Sequence, residues 1–150
     1  MDDVISTLTG SGRPLFAASI ACFAVAGVAT GAVDSLAATT GATAIAIGGV
    51  YALARYARAV TRRTLAVAAL GCWIAFLSIA AVHAVGLETA AGIAPGPAET
   101  IVLAITALTW GTLLSAVGTT AFLGFREYGS RAGTDVPEEQ ILDGETTSDY

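Results

Sequence analysis

Tyr51-Ala52-Leu53-Ala54-Arg55-Tyr56-Ala57-Arg58-Ala59-Val60-Thr61-Arg62-Arg63 sets four arginines between two long apolar runs that carry almost no other charge. A charged side chain is costly in hydrocarbon and tolerated at its edge, and Lys and Arg concentrate in short loops on the cytoplasmic side of a membrane. The stretch therefore reads as an inner turn between two membrane-spanning helices, and the rest of the chain can be placed from it.

Toward the N-terminus, the run at 36–57 supplies one span, Asp34 and Ser35 mark an outer turn, and 15–33 supplies the span before it. Each run has roughly the 20 residues that a helix rising about 1.5 Å per residue needs to cross about 30 Å of hydrocarbon. Arg13-Pro14 precedes the first span, with proline at a tolerated first-turn position, and 1–12 is a short polar segment. The apolar stretch exceeds the roughly 7 to 15 residues of a secretory h-region, which favours a retained span over a cleaved leader.

Toward the C-terminus, 64–85 is the third span. The connection after it contains Gly-Ile-Ala-Pro-Gly-Pro, whose glycines and prolines break a helix. The fourth span, 98–125, carries Glu99 in its first turn, where the positive end of the helix dipole favours a carboxylate. It ends at Arg126-Glu127-Tyr128-Gly129-Ser130-Arg131, and the polar, acidic segment 132–150 has no apolar period, the pattern of a disordered tail.

Composition agrees with this division. The chain of 150 residues is 55% hydrophobic and only 13% charged, with a mean hydropathy of +0.72, whereas about a quarter of the residues of a soluble domain are charged. The net charge of −5 describes no single surface, because the acids cluster in the tails and outer loops. In the expected topology Arg13, Arg55, Arg58, Arg62, Arg63, Arg126 and Arg131 fall on one side, and Asp34, Glu88 and Glu99 on the other. The expected fold is all-α: an integral membrane four-helix bundle over 13–131, with both termini inside and a disordered acidic C-terminal tail. Phe16, Tyr51, Tyr56, Phe125 and Tyr128 fall near the inner boundary as an aromatic belt would, while Trp73 and Trp110 sit mid-span and read as packing residues.

Little in the spans suggests chemistry. His83 is the sole histidine, too few for a bis-histidine haem or a histidine metal cluster, and it reads as a hydrogen-bonded interfacial residue. Apart from Glu99 at the mouth of the fourth, no Asp or Glu lies within a span, which counts against proton-coupled exchange. Asp34 coincides with the turn. Cys22 and Cys72 fall in apolar runs as small hydrophobes and imply no disulfide framework. The chain has no HExxH, phosphate-binding glycine loop or CxxC, so the expectation is a protein that is not an enzyme and needs no cofactor or metal.

What the spans do contain is small residues. Gly27 and Gly31 have GxxxG spacing, and Gly111, Ser115 and Gly118 follow helical spacing on the fourth span. Such faces let helix backbones approach closely in lipid, where association relies on packing and interhelical hydrogen bonds. Thr106, Thr109, Thr112, Ser115 and Thr119 would line a pore only if several chains assembled; hydroxyls bonding back to their own helix are the simpler reading.

The one surface with chemical character is the arginine turn. Arg55, Arg58 and Arg62 are spaced i, i+3, i+7, as on one face of a continued helix, with Arg63 beside them. They read as anchors in anionic lipid headgroups; the alternative is an acidic partner or nucleic acid held by non-specific phosphate contacts. A homo-oligomer or a membrane-protein partner is the other association considered.

The seven arginines with no lysine, the acidic tail and the Ala/Gly/Thr/Val vocabulary resemble proteins of extreme halophiles. Together with four spans and both termini inside, the architecture over 13–131 resembles the small internal membrane protein of haloarchaeal pleolipoviruses, and equally other small haloarchaeal membrane proteins. The resemblance implies a structural component of a virion membrane, with the arginine turn facing an enclosed genome. Two functions stay open: a non-catalytic scaffold or envelope component, and a small transporter or channel subunit.

Overall fold

Two residues break the chain between the second and third apolar runs. Val60 is extended (φ −110°, ψ 159°) while its N–H still bonds the Tyr56 carbonyl, which closes α2 (Leu36–Ala59). Thr61 is extended too, and its Oγ1 accepts from the Thr64 N–H at 3.2 Å, which opens α3 (Arg62–Val85). β-Branched side chains suit extended backbone, and threonine is a good N-cap. The arginine turn is therefore not one continued helix. Arg55 and Arg58 end α2, Arg62 and Arg63 begin α3, and the i, i+3, i+7 face expected for Arg55, Arg58 and Arg62 is cut at Ala59.

The computed structural model describes residues 2–32, 35–93 and 95–132; Asp34 and the acidic tail beyond 132 lie outside them. The remaining helices are α1 (Asp2–Ala32), α4 (Leu87–Ile93) and α5 (Ala98–Ala132). Helix α1 starts at Asp2, so Pro14 lies inside it and not in its first turn, as the sequence suggests. An interior proline forfeits one backbone bond and costs about 3 kcal/mol. The helix runs on both sides of it without interruption. The connection expected to be helix-breaking holds α4, flanked by Gly86 (φ 106°) and Gly96 (φ 139°) in the left-handed region that glycine tolerates. The Gly86 N–H bonds the Val82 carbonyl at 3.1 Å and closes α3.

Four helical stretches are long and apolar enough to cross a membrane: Gly12–Gly31, Leu36–Ala59, Arg62–Val85 and Ala98–Ser130. They do not pack in chain order. Helix α1 lies against α2 and α5, α5 also lies against α3, and α2 touches α5 over a smaller area. Helices α2 and α3, though joined by two residues, make few close backbone approaches and meet mainly through Leu65, buried beside Leu53, Tyr56 and Ala57. The bundle is thus an α1–α2 hairpin and an α3–α5 hairpin joined along α1 and α5.

Its polarity is inverted relative to a soluble bundle. Val67, Leu70, Ile74 and Leu77 form an outward row along α3, 58 to 64% exposed. Ser19, Ser115, Thr119 and Ala116 are fully buried at the centre, beside a cluster of Phe23, Leu53, Tyr56, Ala57 and Leu65. Soluble proteins bury such apolar rows, because leaving them in water forfeits about 25 cal/mol per Å². In lipid they cost nothing, and small residues at the centre allow close approach.

Close approach is visible at four glycines. A Cβ on Gly111 would lie 3.2 Å from the Ile20 carbonyl oxygen and 3.3 Å from Ala24 Cβ, so α1 and α5 meet backbone to backbone there. Gly118 seats Leu53 of α2, whose Cδ2 would lie 2.5 Å from an added Cβ, and Gly49 seats Phe23, 2.8 Å away by the same measure. Gly27 lies under the Trp110 indole of α5, while Gly31, its GxxxG partner in sequence, has no neighbour within 4 Å. Ser115 lies between Gly111 and Gly118 on the α5 face turned to the other helices, fully buried.

Candidate functional site

The start of the first span, the end of α2, the start of α3 and the end of α5 meet at one end of the bundle. Gly12 sits against Val60 and Tyr56, and the Phe16 and Tyr56 rings stack with centroids 4.8 Å apart and planes at 30°. Tyr56 is buried, so it belongs to the core and not to an aromatic belt, whereas Tyr51, Phe125 and Tyr128 are exposed at 64, 71 and 78%.

This end is built around Arg126. Helix α5 continues through the Arg126–Arg131 segment, where the sequence suggests an end, and so carries Arg126 to the terminus of α2. Its Nη1 donates to the Ala57 carbonyl at 3.1 Å and to the Val60 carbonyl at 3.0 Å. The last carbonyls of a helix lack intrahelical donors and carry its negative dipole end, so a guanidinium there satisfies both needs. One residue on, Glu127 pairs with Arg62 in the first turn of α3. The α2–α3 turn is thereby held from both sides by neighbouring residues of one helix.

The four arginines of the turn are not equivalent. Arg62 is neutralised by Glu127, and Arg55 Nη1 donates to the Tyr51 hydroxyl at 3.2 Å. Arg63 is exposed. Arg58, in the last turn of α2, faces Arg126 across a groove of about 420 Å³ whose other walls are Ala54, Ala57, Phe122 and Phe125. Among the described side chains at this end, Glu127 is the only carboxylate, set against Arg13, Arg55, Arg58, Arg62, Arg63 and Arg126.

The helix interiors carry few polar contacts between helices. Trp73 Nε1 donates to Thr120 Oγ1 at 3.1 Å and links α3 to α5 in mid-span. Thr106, Thr109, Thr112 and Thr119 each donate to a carbonyl of their own helix four residues back, at 2.6 to 2.9 Å. Ser19 Oγ and Ser115 Oγ are buried with no hydrogen-bond partner among the described residues. His83, exposed at the opposite end, has Nδ1 3.2 Å from the Ile79 carbonyl oxygen. Among the described residues no three His, Cys, Asp or Glu side chains converge as a metal site would require.

Sequence reasoning missed Arg126 as a cap and Glu127 as the partner of Arg62. An Arg-Glu pair at the end of a span carries no spacing signal for a contact 66 or 69 residues away. Gly49 was missed because the small residues around it obscure any single one. No family model, curated protein or solved structure matches the chain.

Proposed function

We propose that the chain is a multi-pass integral membrane protein, not an enzyme, whose arginine end lies on the cytoplasmic or enclosed side, and that it acts as a structural, scaffold or envelope component. The observation that carries this reading is the inverted polarity: an apolar exterior, hydroxyls and glycines at the centre, and charge gathered at the ends. Arginines concentrate on the inner side of membranes, which assigns that side to the Arg13, Arg55, Arg58, Arg62, Arg63 and Arg126 end. Both termini then lie inside, and the acidic segment beyond 132 with them.

Under this reading the chain works by packing and by its inner cationic surface, and no cofactor enters. Its first partners are anionic headgroups. A second copy or another membrane protein would dock through open small-residue positions such as Gly41, Gly48 and Gly71, which have no neighbour within 4 Å. Nucleic acid would meet only non-specific phosphate contacts at the arginine end. In a virion membrane of the kind the architecture resembles, that end would face the genome.

The alternative, a small transporter or channel subunit, draws on the two buried unpartnered hydroxyls, Ser19 and Ser115, on the facing helices α1 and α5. The threonines are poor support for it, since their hydroxyls are committed to their own helix. Reconstitution into sealed vesicles separates the two. The expected result is no flux of protons, sodium or potassium above that of empty vesicles, and a selective flux abolished by Ser19→Ala or Ser115→Ala overturns the structural reading.

A further inference from the structure

We infer that the groove between α2 and α5 at the arginine end is a binding site for one anionic phospholipid, its phosphate held between Arg58 and Arg126 and its acyl chain laid against Phe122 and Phe125. The inference rests on the membrane reading above and goes beyond it, from a general cationic surface to a single site of defined composition.

Three features select this occupant. The groove is lined by two arginines, two phenylalanines and the small Ala54 and Ala57, and so matches a molecule with an anionic head and an apolar body. Its volume of about 420 Å³ falls in the range of small-molecule sites, about 300 to 1,000 Å³, and is too small for a helix about 10 Å across. Phe125 is 71% exposed, so the apolar wall opens sideways, toward the acyl chains under the membrane reading.

Pre-organisation distinguishes this pair from the other arginines. A snorkelling arginine samples many rotamers, and binding through it means freezing them. Arg126 is already fixed by its two bonds to the Ala57 and Val60 carbonyls. Both bonds run through Nη1, and a guanidinium carries five N–H donors in a planar fork that suits a phosphate. Arg58 supplies the second cation from the last turn of α2. Glu127, the neighbouring carboxylate, pairs with Arg62 of α3. Basic pockets between transmembrane helices on the inner side commonly hold anionic headgroups.

The test is native mass spectrometry of the full chain purified in detergent, titrated with phosphatidylglycerol, phosphatidylcholine and, in a separate arm, inorganic phosphate. The expected result is one phosphatidylglycerol retained per chain, with phosphatidylcholine at least tenfold weaker and inorganic phosphate neither retained nor competing at equal concentration. Arg58→Gln, at an exposed position where folding is not at stake, should weaken phosphatidylglycerol at least tenfold. Arg126→Lys, which keeps the charge and loses the fork, should weaken it severalfold, and Arg63→Gln should leave it unchanged. Equal retention of phosphatidylcholine, an undiminished Arg58→Gln variant, or an Arg63→Gln loss as large as that of Arg58→Gln overturns the site. Competition by inorganic phosphate reassigns it to the free anion and overturns it as well. A parallel alkaline wash of membranes keeps the premise separate: a chain that stays in the pellet without lipid preference removes this site alone, and a chain released by the wash removes the membrane reading with it.

Discussion

Arg126 Nη1 donates to the Ala57 carbonyl oxygen at 3.1 Å, tying the end of α5 to the end of α2 across 69 positions of sequence. Removing the guanidinium leaves the part-buried Ala57 contact and the exposed Val60 contact without that donor, a loss of about 1 kcal/mol, the net contribution of a hydrogen bond that water can partly replace. Arg126→Ala should therefore lower the midpoint of thermal unfolding in mild detergent. Arg126→Lys, with a compact ammonium in place of the fork, should fall between the two. A midpoint unchanged in Arg126→Ala would mean that the cap contributes nothing.

Gly27 and Gly31 should respond oppositely to the same substitution. A Cβ on Gly27 meets Trp110 Cβ and Cγ, atoms close to the α5 backbone that cannot swing aside, whereas one on Gly31 meets nothing within 4 Å. Gly27→Ala should cost about 1 to 3 kcal/mol by overpacking. Gly31→Ala should be neutral or slightly stabilising, since alanine is the better helix former. Thermal unfolding of both variants checks the contrast, and equal effects refute it.

The Trp73–Thr120 bond is suited to a double-mutant cycle. Hydrogen bonds between helices within membrane proteins average about 0.6 kcal/mol, with a maximum near 1.7. Trp73→Phe and Thr120→Val should each destabilise, and the double variant should be less destabilised than their sum by about that amount. Strict additivity would show that the two side chains are not coupled.

The proposed topology, with the arginine end inside, can be checked by labelling. In a Cys22→Ala, Cys72→Ala background, an impermeant maleimide added to sealed cells should label Thr89→Cys and Gly92→Cys, near the end opposite the arginines. It should miss Ala59→Cys and Ser130→Cys. Labelling of Ala59→Cys in intact cells would invert the assignment.

The long helices were legible because their cause is local: long apolar runs, ended by Asp34-Ser35, the arginine stretch and glycine-proline punctuation, set element type and length without reference to neighbours. The bounds of α2 and α3 lie within a few residues of the sequence reading for the same reason. Where a distant partner or a neighbouring turn decides, the sequence misled. Pro14 looked like a helix start, but the turns before it are helical too. Arg55, Arg58 and Arg62 looked like one face, because spacing cannot register the break that Val60 and Thr61 impose. Among the small residues, Gly27 and Gly31 are alike in sequence and unlike in place, since only one lies beneath Trp110. The groove at the arginine end draws Arg58 from one hairpin and Arg126 from the other, and no pattern within either hairpin announces it.

The scarcity of contact between α2 and α3 has a consequence for how the protein is made. Helix α1 can find α2 as soon as both are made, but α3, which follows, meets the first hairpin chiefly at Leu65. Its partner is α5, and α5 is also what joins α3 to the first hairpin. Until Gly111 reaches Ile20 and Gly118 reaches Leu53, the first hairpin and α3 lack the helix that clamps them together. Assembly is decided when α5 is made, so a ribosome stalled before residue 98 leaves a product whose first hairpin can be sound and whose third helix lacks its main partner.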